Sequence, residues 1–264
     1  MKELNIKTKW GNVLYWISEE WKEADTLFFM HGMTADHTMF EKQYDYFGEK
    51  YNIIAWDAPC HGKSRPFEDF SYKKCAETIR MILAKHEIED AFFIGQSMGG
   101  FIAQAVIKRY PGLVKGFVAI DSTPYGEKYY TKSDKWWLRQ IEWMAHLYPL
   151  NAMKKAIAKQ VSVTEEAYDN MMEMLSVYDK NEICHLMGIA YAGFLEDNCN
   201  LAIKCPVLLL LGDKDVTGKV KFYNEEWAKT EGFPLVIIEN AAHNSNVDRP
   251  DTVNKEIEKF LESA

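Results

Sequence analysis

The sequence predicts an α/β protein: a mostly parallel central sheet of about eight strands, flanked by helices, with a helical segment inserted before the last strands. Three observations carry that expectation. Short apolar runs alternate with longer amphipathic ones up to residue 122, the alternation stops over 123–200, and it resumes from 201 to 264. Residues 1–122 and 201–264 are therefore read as one core and 123–200 as a helical insertion. A chain of 264 residues is long enough to bury such a core, and an aromatic share of 14% argues against disorder.

The elements follow in order. Leu4 and Ile6, then Val13, Tyr15 and Ile17, stand at period two around the turn cluster Trp10-Gly11-Asn12, which predicts a hairpin. Thr26–Met30 reads as a buried strand, followed by a helix around Met39–Phe47. Asn52–Trp56 is the next strand, then a helix over Tyr72–His86. Ala91–Ile94 is a strand, and Met98–Tyr110 a helix that Pro111-Gly112 stops. Gly116–Ile120 follows as a strand. The next stretch has no comparable strand but is rich in Trp, Tyr and Met at helical spacing, including Trp136, Trp137, Trp143, Met171, Met187 and Phe194. Such a pattern predicts a packed helical core; the other reading is that some of these side chains line an apolar pocket. Strands at Pro206–Leu211 and Pro234–Ile238 and a helix over Pro250–Leu261 close the chain.

Gly95-Gln96-Ser97-Met98-Gly99 sits between a predicted strand and a predicted helix. A direct strand-to-helix turn forces its central residue toward positive φ and leaves no room for side chains two positions either way. It also raises the serine hydroxyl beside a helix N-terminus, where negative charge is favoured. A dinucleotide fingerprint would need glycine at Ser97, and a P-loop ending in Gly62-Lys63-Ser64 would need glycine at Asp57, so neither motif is present.

On these residues the chain resembles the α/β-hydrolase superfamily along essentially its whole length. His31-Gly32-Met33 is similar to the family's oxyanion loop, and Asp57-Ala58-Pro59-Cys60-His61-Gly62-Lys63-Ser64 to its loop after the fourth strand. Gly212-Asp213-Lys214-Asp215 and Asn240-Ala241-Ala242-His243 stand where the family places its acid and its histidine. Cys60 and Ala242 replace glycines common in the family, and the loop after Asp215 lacks the usual proline.

The resemblance implies a serine hydrolase with Ser97 as nucleophile, His243 as base and then acid, and Asp215 orienting the histidine. The backbone N–H groups of Met33 and Met98 would hold the oxyanion. Asp213 and Asp121 remain alternative acids. His31, His61 and Asp57 are expected to brace loops, while His37, His86, His146 and His185 carry no partner signal. A thiol nucleophile at Cys60 lacks a third group. The expected substrate is a small or medium, largely apolar carboxylic ester or lactone, cleaved through an acyl-serine intermediate without cofactor or metal. On the same fold the alternatives are a carbon–carbon bond hydrolase, a lyase, a cofactor-free oxygenase or a non-catalytic ligand receptor.

A net charge of −8 argues against nucleic acid or an anionic membrane surface as partner, and leaves a homodimer open. No apolar run approaches the ~18 residues of a membrane span. Five cysteines without a C-x-x-C pair fit free thiols in a reducing, cytoplasmic compartment.

Overall fold

The computed structural model describes residues 1–264, and its backbone forms an eight-stranded sheet in the order β1-β2-β4-β3-β5-β6-β7-β8. β1 (Lys2–Thr8) and β2 (Gly11–Ile17) are the expected hairpin, paired from Lys2↔Ile17 to Thr8↔Gly11. β2 runs antiparallel to β4 (Asn52–Trp56), and every later pairing is parallel. β3 (Thr26–Met30), β4, β5 (Ala91–Gln96) and β7 (Val207–Gly212) are buried at every residue. That is why their sequences read as unbroken apolar runs: a parallel strand covered on both faces has no polar side to alternate with. β6 (Val114–Ile120) starts two residues before its apolar run, because a single turn at Pro111–Leu113 closes the preceding helix and delivers Val114 to the sheet. β8 (Leu235–Ile238) is the sheet's far edge, and Ile237 there is 45% exposed.

Side-chain alternation sorts the core into two layers. Phe28, Met30, Ile54 and Trp56 point to one face, where α2 (Tyr72–Lys85) and α3 (Met98–Arg109) pack. Leu27, Phe29 and Ile53 point to the other, under α1 (Glu41–Phe47) and the C-terminal helix, Pro250–Ser263. That last helix buries Val253, Ile257, Phe260 and Leu261, a stripe at helical spacing, and begins on Pro250, whose missing N–H costs nothing at a first turn. Each such side chain contributes roughly 1.5–3 kcal/mol by leaving water.

Between β6 and β7 the chain is helical and contains no strand: α4 (Lys132–Leu138), α5 (Ile141–Ala145), α6 (Leu150–Val161), α7 (Glu165–Ser176), α8 (Lys180–Gly188) and α9 (Phe194–Asp197). A π-type turn at Ile189–Gly193 joins α8 to α9. The core then resumes with β7, a helix that the apolar pattern does not announce, α10 (Val220–Glu231), β8, the short α11 (Ser245–Asp248) and α12 (Pro250–Ser263). No helix is long and apolar enough to cross a membrane.

Candidate active site

Ser97 sits between β5 and α3 at φ 48° and ψ −113°, a strained conformation for a residue with a side chain. Its flanking glycines answer to close contacts. A Cβ on Gly95 would lie 2.6 Å from the carbonyl carbon of Gly99, and one on Gly99 would lie 2.0 Å from the Met30 carbonyl oxygen. Gly100 makes room for Ser122, whose Oγ would meet a Cβ there at 2.2 Å. That hydroxyl donates to the Ser97 carbonyl at 2.7 Å and so holds the turn from the end of β6.

The three side chains that lie 118 and 28 residues apart in sequence form a continuous hydrogen-bonded chain. Ser97 Oγ is 2.8 Å from His243 Nε2, and His243 Nδ1 is 2.7 Å from Asp215 Oδ2. The remaining oxygen of Asp215 accepts the Thr217 N–H at 2.8 Å. Burial pulls the imidazole down, but the charge and hydrogen bond of Asp215 outweigh it and hold His243 above the ordinary histidine value. Burial acts on Asp215 in the opposite sense, yet His243 and the Thr217 donors keep it below the usual carboxylate range.

The alternative acids point elsewhere. Asp213 accepts the Ala241 N–H at 3.2 Å and pairs with Lys214 at 2.8 Å. Asp121, fully buried at the end of β6, accepts the Gly212 N–H at 2.8 Å and the Ser245 N–H at 3.0 Å. Burial and the charge of Asp215 push Asp121 up to about 7, against the pull of both donors. It thus ties together the two loops that carry Asp215 and His243. In Asp121→Asn an amide NH2 would face one of those N–H groups. Chemical denaturation is expected to show a loss of about 1–3 kcal/mol, the cost of a buried donor left unpaired; unchanged stability would contradict the clamp.

Met33 and Met98 present backbone N–H groups with no acceptor in the protein. Met98 follows Ser97 directly, and Gly32 lies against the elbow, where a Cβ would come 3.4 Å from the Ser97 Cβ. His31 fixes that loop: its Nε2 accepts the Ala58 N–H at 2.9 Å, and its Nδ1 lies 2.7 Å from the Gly32 oxygen. Gln96 adds a contact that sequence patterns do not reveal. Its amide donates to the His243 carbonyl at 2.6 Å, while its Oε1 occupies the space beside Gly32.

The loop after β4 is organised by Asp57. Its Oδ1 accepts the His37 N–H at 2.9 Å and pairs with the His37 ring at 2.7 Å, and its Oδ2 accepts the Lys63 N–H at 2.6 Å. His37 is therefore a partnered residue, stacked on Trp16 at 3.4 Å between ring centres, and not the unpartnered one its sequence context suggests. His86 likewise bonds the Tyr15 hydroxyl at 2.9 Å, and His185 lies 3.3 Å from Glu142, while His146 is exposed. Asp36, which completes a cluster with His37 and Asp57, is committed to capping the following turn through the Thr38 N–H and hydroxyl. Cys60 adopts φ 68°, the left-handed region for which glycine is suited, at the position where glycine is common. Burial pushes its thiol up to about 11 and the neighbouring His61 down to about 3, the reverse of what a thiolate–imidazolium pair needs.

Above Ser97 and His243 lies a cavity of about 150 Å3. Its walls come from the core (Met33, Phe101) and from the helical segment (Leu138, Met171, Met187, Phe194). The only Lys or Arg among its lining residues, Lys219, is paired with Asp134 at 2.6 Å. The aromatic and Met-rich stretch thus divides: Met153 and Met174 are core, Met171, Met187, Tyr191 and Phe194 line the cavity, and three tryptophans face outward.

A family model described as the alpha/beta hydrolase fold matches residues 25–146. An AB hydrolase superfamily protein of Bacillus subtilis (strain 168), YisY, is 26% identical over 256 residues, which cover 90% of this chain and 91% of the relative. Among solved structures, a thermophilic esterase from Thermogutta terrifontis superposes with TM-score 0.78 at 17% identity, covering 100% of this chain and 99% of its own. An enol-lactonase from Burkholderia xenovorans LB400 superposes with TM-score 0.77 at 18% identity, covering 95% and 96%. The fold is that of the α/β hydrolases. In sequence, too, the chain is similar to members of the α/β-hydrolase superfamily.

Proposed function

We propose that this protein is a serine hydrolase that cleaves a small or medium, uncharged and largely apolar carboxylic ester or lactone through an acyl-serine intermediate. The observation that carries the reading is the Ser97–His243–Asp215 hydrogen-bond chain at the floor of an apolar cavity. Several of the similar proteins are named as hydrolases, and an esterase and a lactonase share the fold over nearly their full length. Ser97 Oγ attacks the acyl carbon while His243 Nε2 takes its proton. The carbonyl oxygen becomes the oxyanion between the Met33 and Met98 N–H groups, and each such donor is worth roughly 10²–10³ in rate. His243 then returns the proton to the leaving alcohol, and water, activated by the same imidazole, releases the acid and restores Ser97. For a lactone the alcohol and acid leave as one hydroxy acid. The helical segment serves as the cap over this chamber, and its walls exclude bulk water from the acyl-enzyme.

A charged acyl chain would be desolvated in this chamber without a free cation, since Lys219 is already neutralised by Asp134. In a series of p-nitrophenyl esters, kcat/KM is expected to rise from acetyl to mid-length acyl chains and to fall by about tenfold or more for a chain of equal length ending in carboxylate. Covalent labelling by a fluorophosphonate should accompany this activity. Equal rates for the neutral and the carboxylate-ended ester would remove the case for an apolar substrate, and absence of labelling with no ester turnover would remove the serine-hydrolase reading.

A further inference from the structure

Six of the large hydrophobic side chains exposed on this molecule fall within thirteen residues of the helical segment. Trp136, Trp137 and Trp143 are each 55% exposed, Leu147 is 71% exposed, and Met144 and Tyr148 complete the set. The spacing is orderly. Trp143 and Leu147, and likewise Met144 and Tyr148, stand four apart, so they stack in two rows on the outer side of α5 and the turn that continues it. The inner side is fixed to the protein: Ala145 is buried, and Gly188 of α8 leaves room for Glu142, whose carboxylate oxygen would meet a Cβ there at 2.3 Å. Burying the outer face would require a partner from outside the chain.

The charges in the stretch of chain that carries that face indicate which partner. Residues 128–160 carry seven Lys and Arg against two carboxylates, in a chain whose net charge is −8. Lys128 and Lys135 are neutralised by Glu231 and Glu127. Lys132, Arg139, Lys155 and Lys159 have no carboxylate within ion-pair distance, and Lys132 and Arg139 flank Trp136 and Trp137 in sequence. We propose that this face docks on an anionic lipid surface, with the tryptophans and Leu147 entering the headgroup–acyl boundary and the unpaired cations meeting lipid phosphates. Trp and Tyr favour that boundary because their rings are apolar while one end stays polar, and each basic residue near such a surface adds about 1 kcal/mol. A second copy is a poorer match, because a two-fold contact through this face would set its own cations against each other. The net charge, which argued against an anionic surface, averages this face with the acidic remainder of the molecule.

The placement also bears on substrate entry. Leu138 lines the cavity from the same short helix that exposes Trp136 and Trp137. Docking would therefore set the chamber's wall one helix diameter from the lipid, so a substrate dissolved in the bilayer could reach it without crossing bulk water.

The test is sedimentation of the full chain with vesicles, read without substrate and so independent of hydrolysis. Vesicles of mixed phosphatidylglycerol and phosphatidylcholine should bind at least about tenfold more protein than phosphatidylcholine alone, with the difference lost at high salt. The double variant Trp143→Ser/Leu147→Ser should lose about tenfold or more of that binding while keeping its circular dichroism and its activity on a soluble short-chain ester. Absence of binding to the anionic vesicles, equal binding to both lipids, or full binding by the double variant would each overturn the proposal. So would a concentration-dependent dimer that the double variant abolishes, since a second copy would then cover the face.

Discussion

Ser97→Ala should lower kcat by roughly 10⁴–10⁶, leave KM within a few-fold and abolish fluorophosphonate labelling. The large effect follows from the division of labour. Only Oγ can form the acyl bond, while the cavity walls that bind substrate are untouched. The variant should still fold. The Ser97 side chain has no partner but His243, and the backbone bond from the Ser97 N–H to the Ile120 carbonyl at 2.9 Å survives the change. The positive φ at this position is held by the glycine contacts around it, and alanine tolerates it no worse than serine does. Adding His243→Ala to Ser97→Ala should cost little more, because a base without its nucleophile has nothing to activate. A residual rate within tenfold of the unaltered protein, in a folded sample, would refute the nucleophile. A double variant a thousandfold slower than Ser97→Ala alone would refute the idea that the two act as one unit.

Asp215→Asn should cost roughly 10⁴ in kcat with little change in fold. At present Asp215 accepts the proton on His243 Nδ1, which leaves Nε2 free to accept from Ser97. An asparagine amide donates instead, so the favoured tautomer reverses and Nε2 presents a hydrogen to the serine. The same variant tests the electrostatics. Protonated His243 cannot take the serine proton, so kcat/KM declines as pH falls through the imidazole pKa. Asp215 raises that pKa above 6.5, which places the acid limb of the unaltered enzyme above the ordinary histidine value. Asp121 contributes in the same direction, but Asp215 is the larger influence and touches the ring. Removing the Asp215 charge while burial persists should move the limb to lower pH. A limb that stays in place would show that some other group titrates.

Much of the machinery was legible because each part answers to a local rule. Ser97 is marked by glycines that a strand-to-helix turn demands, and Asp215 and His243 each follow an apolar strand, in the order that the fold imposes. The choice of Asp215 over Asp213 and Asp121 rested on the family resemblance, because no local rule separates the three. All three lie near strand ends, and only the directions of their side chains separate them: one to the imidazole, one to Lys214, one to two backbone N–H groups. Gln96 could not be recognised either, because its partner is a main-chain oxygen 147 residues away.

The helical segment was the hardest to read. Trp, Tyr and Met at helical spacing describe equally a packed core, a pocket wall and an exposed docking face, and all three occur here. Lys132 and Arg139, on either side of Trp136 and Trp137, were the available signal for the third, and net charge concealed it.

By itself the sequence determined the alternation of strand and helix and the strand-to-helix turn that carries Ser97, because backbone sterics and side-chain periodicity act between neighbours along the chain. Tertiary structure alone decided which carboxylate meets the histidine, which face of the helical segment closes the cavity and which stays in solvent. Those outcomes depend on directions and distances between segments far apart in the chain, and a linear pattern does not encode them.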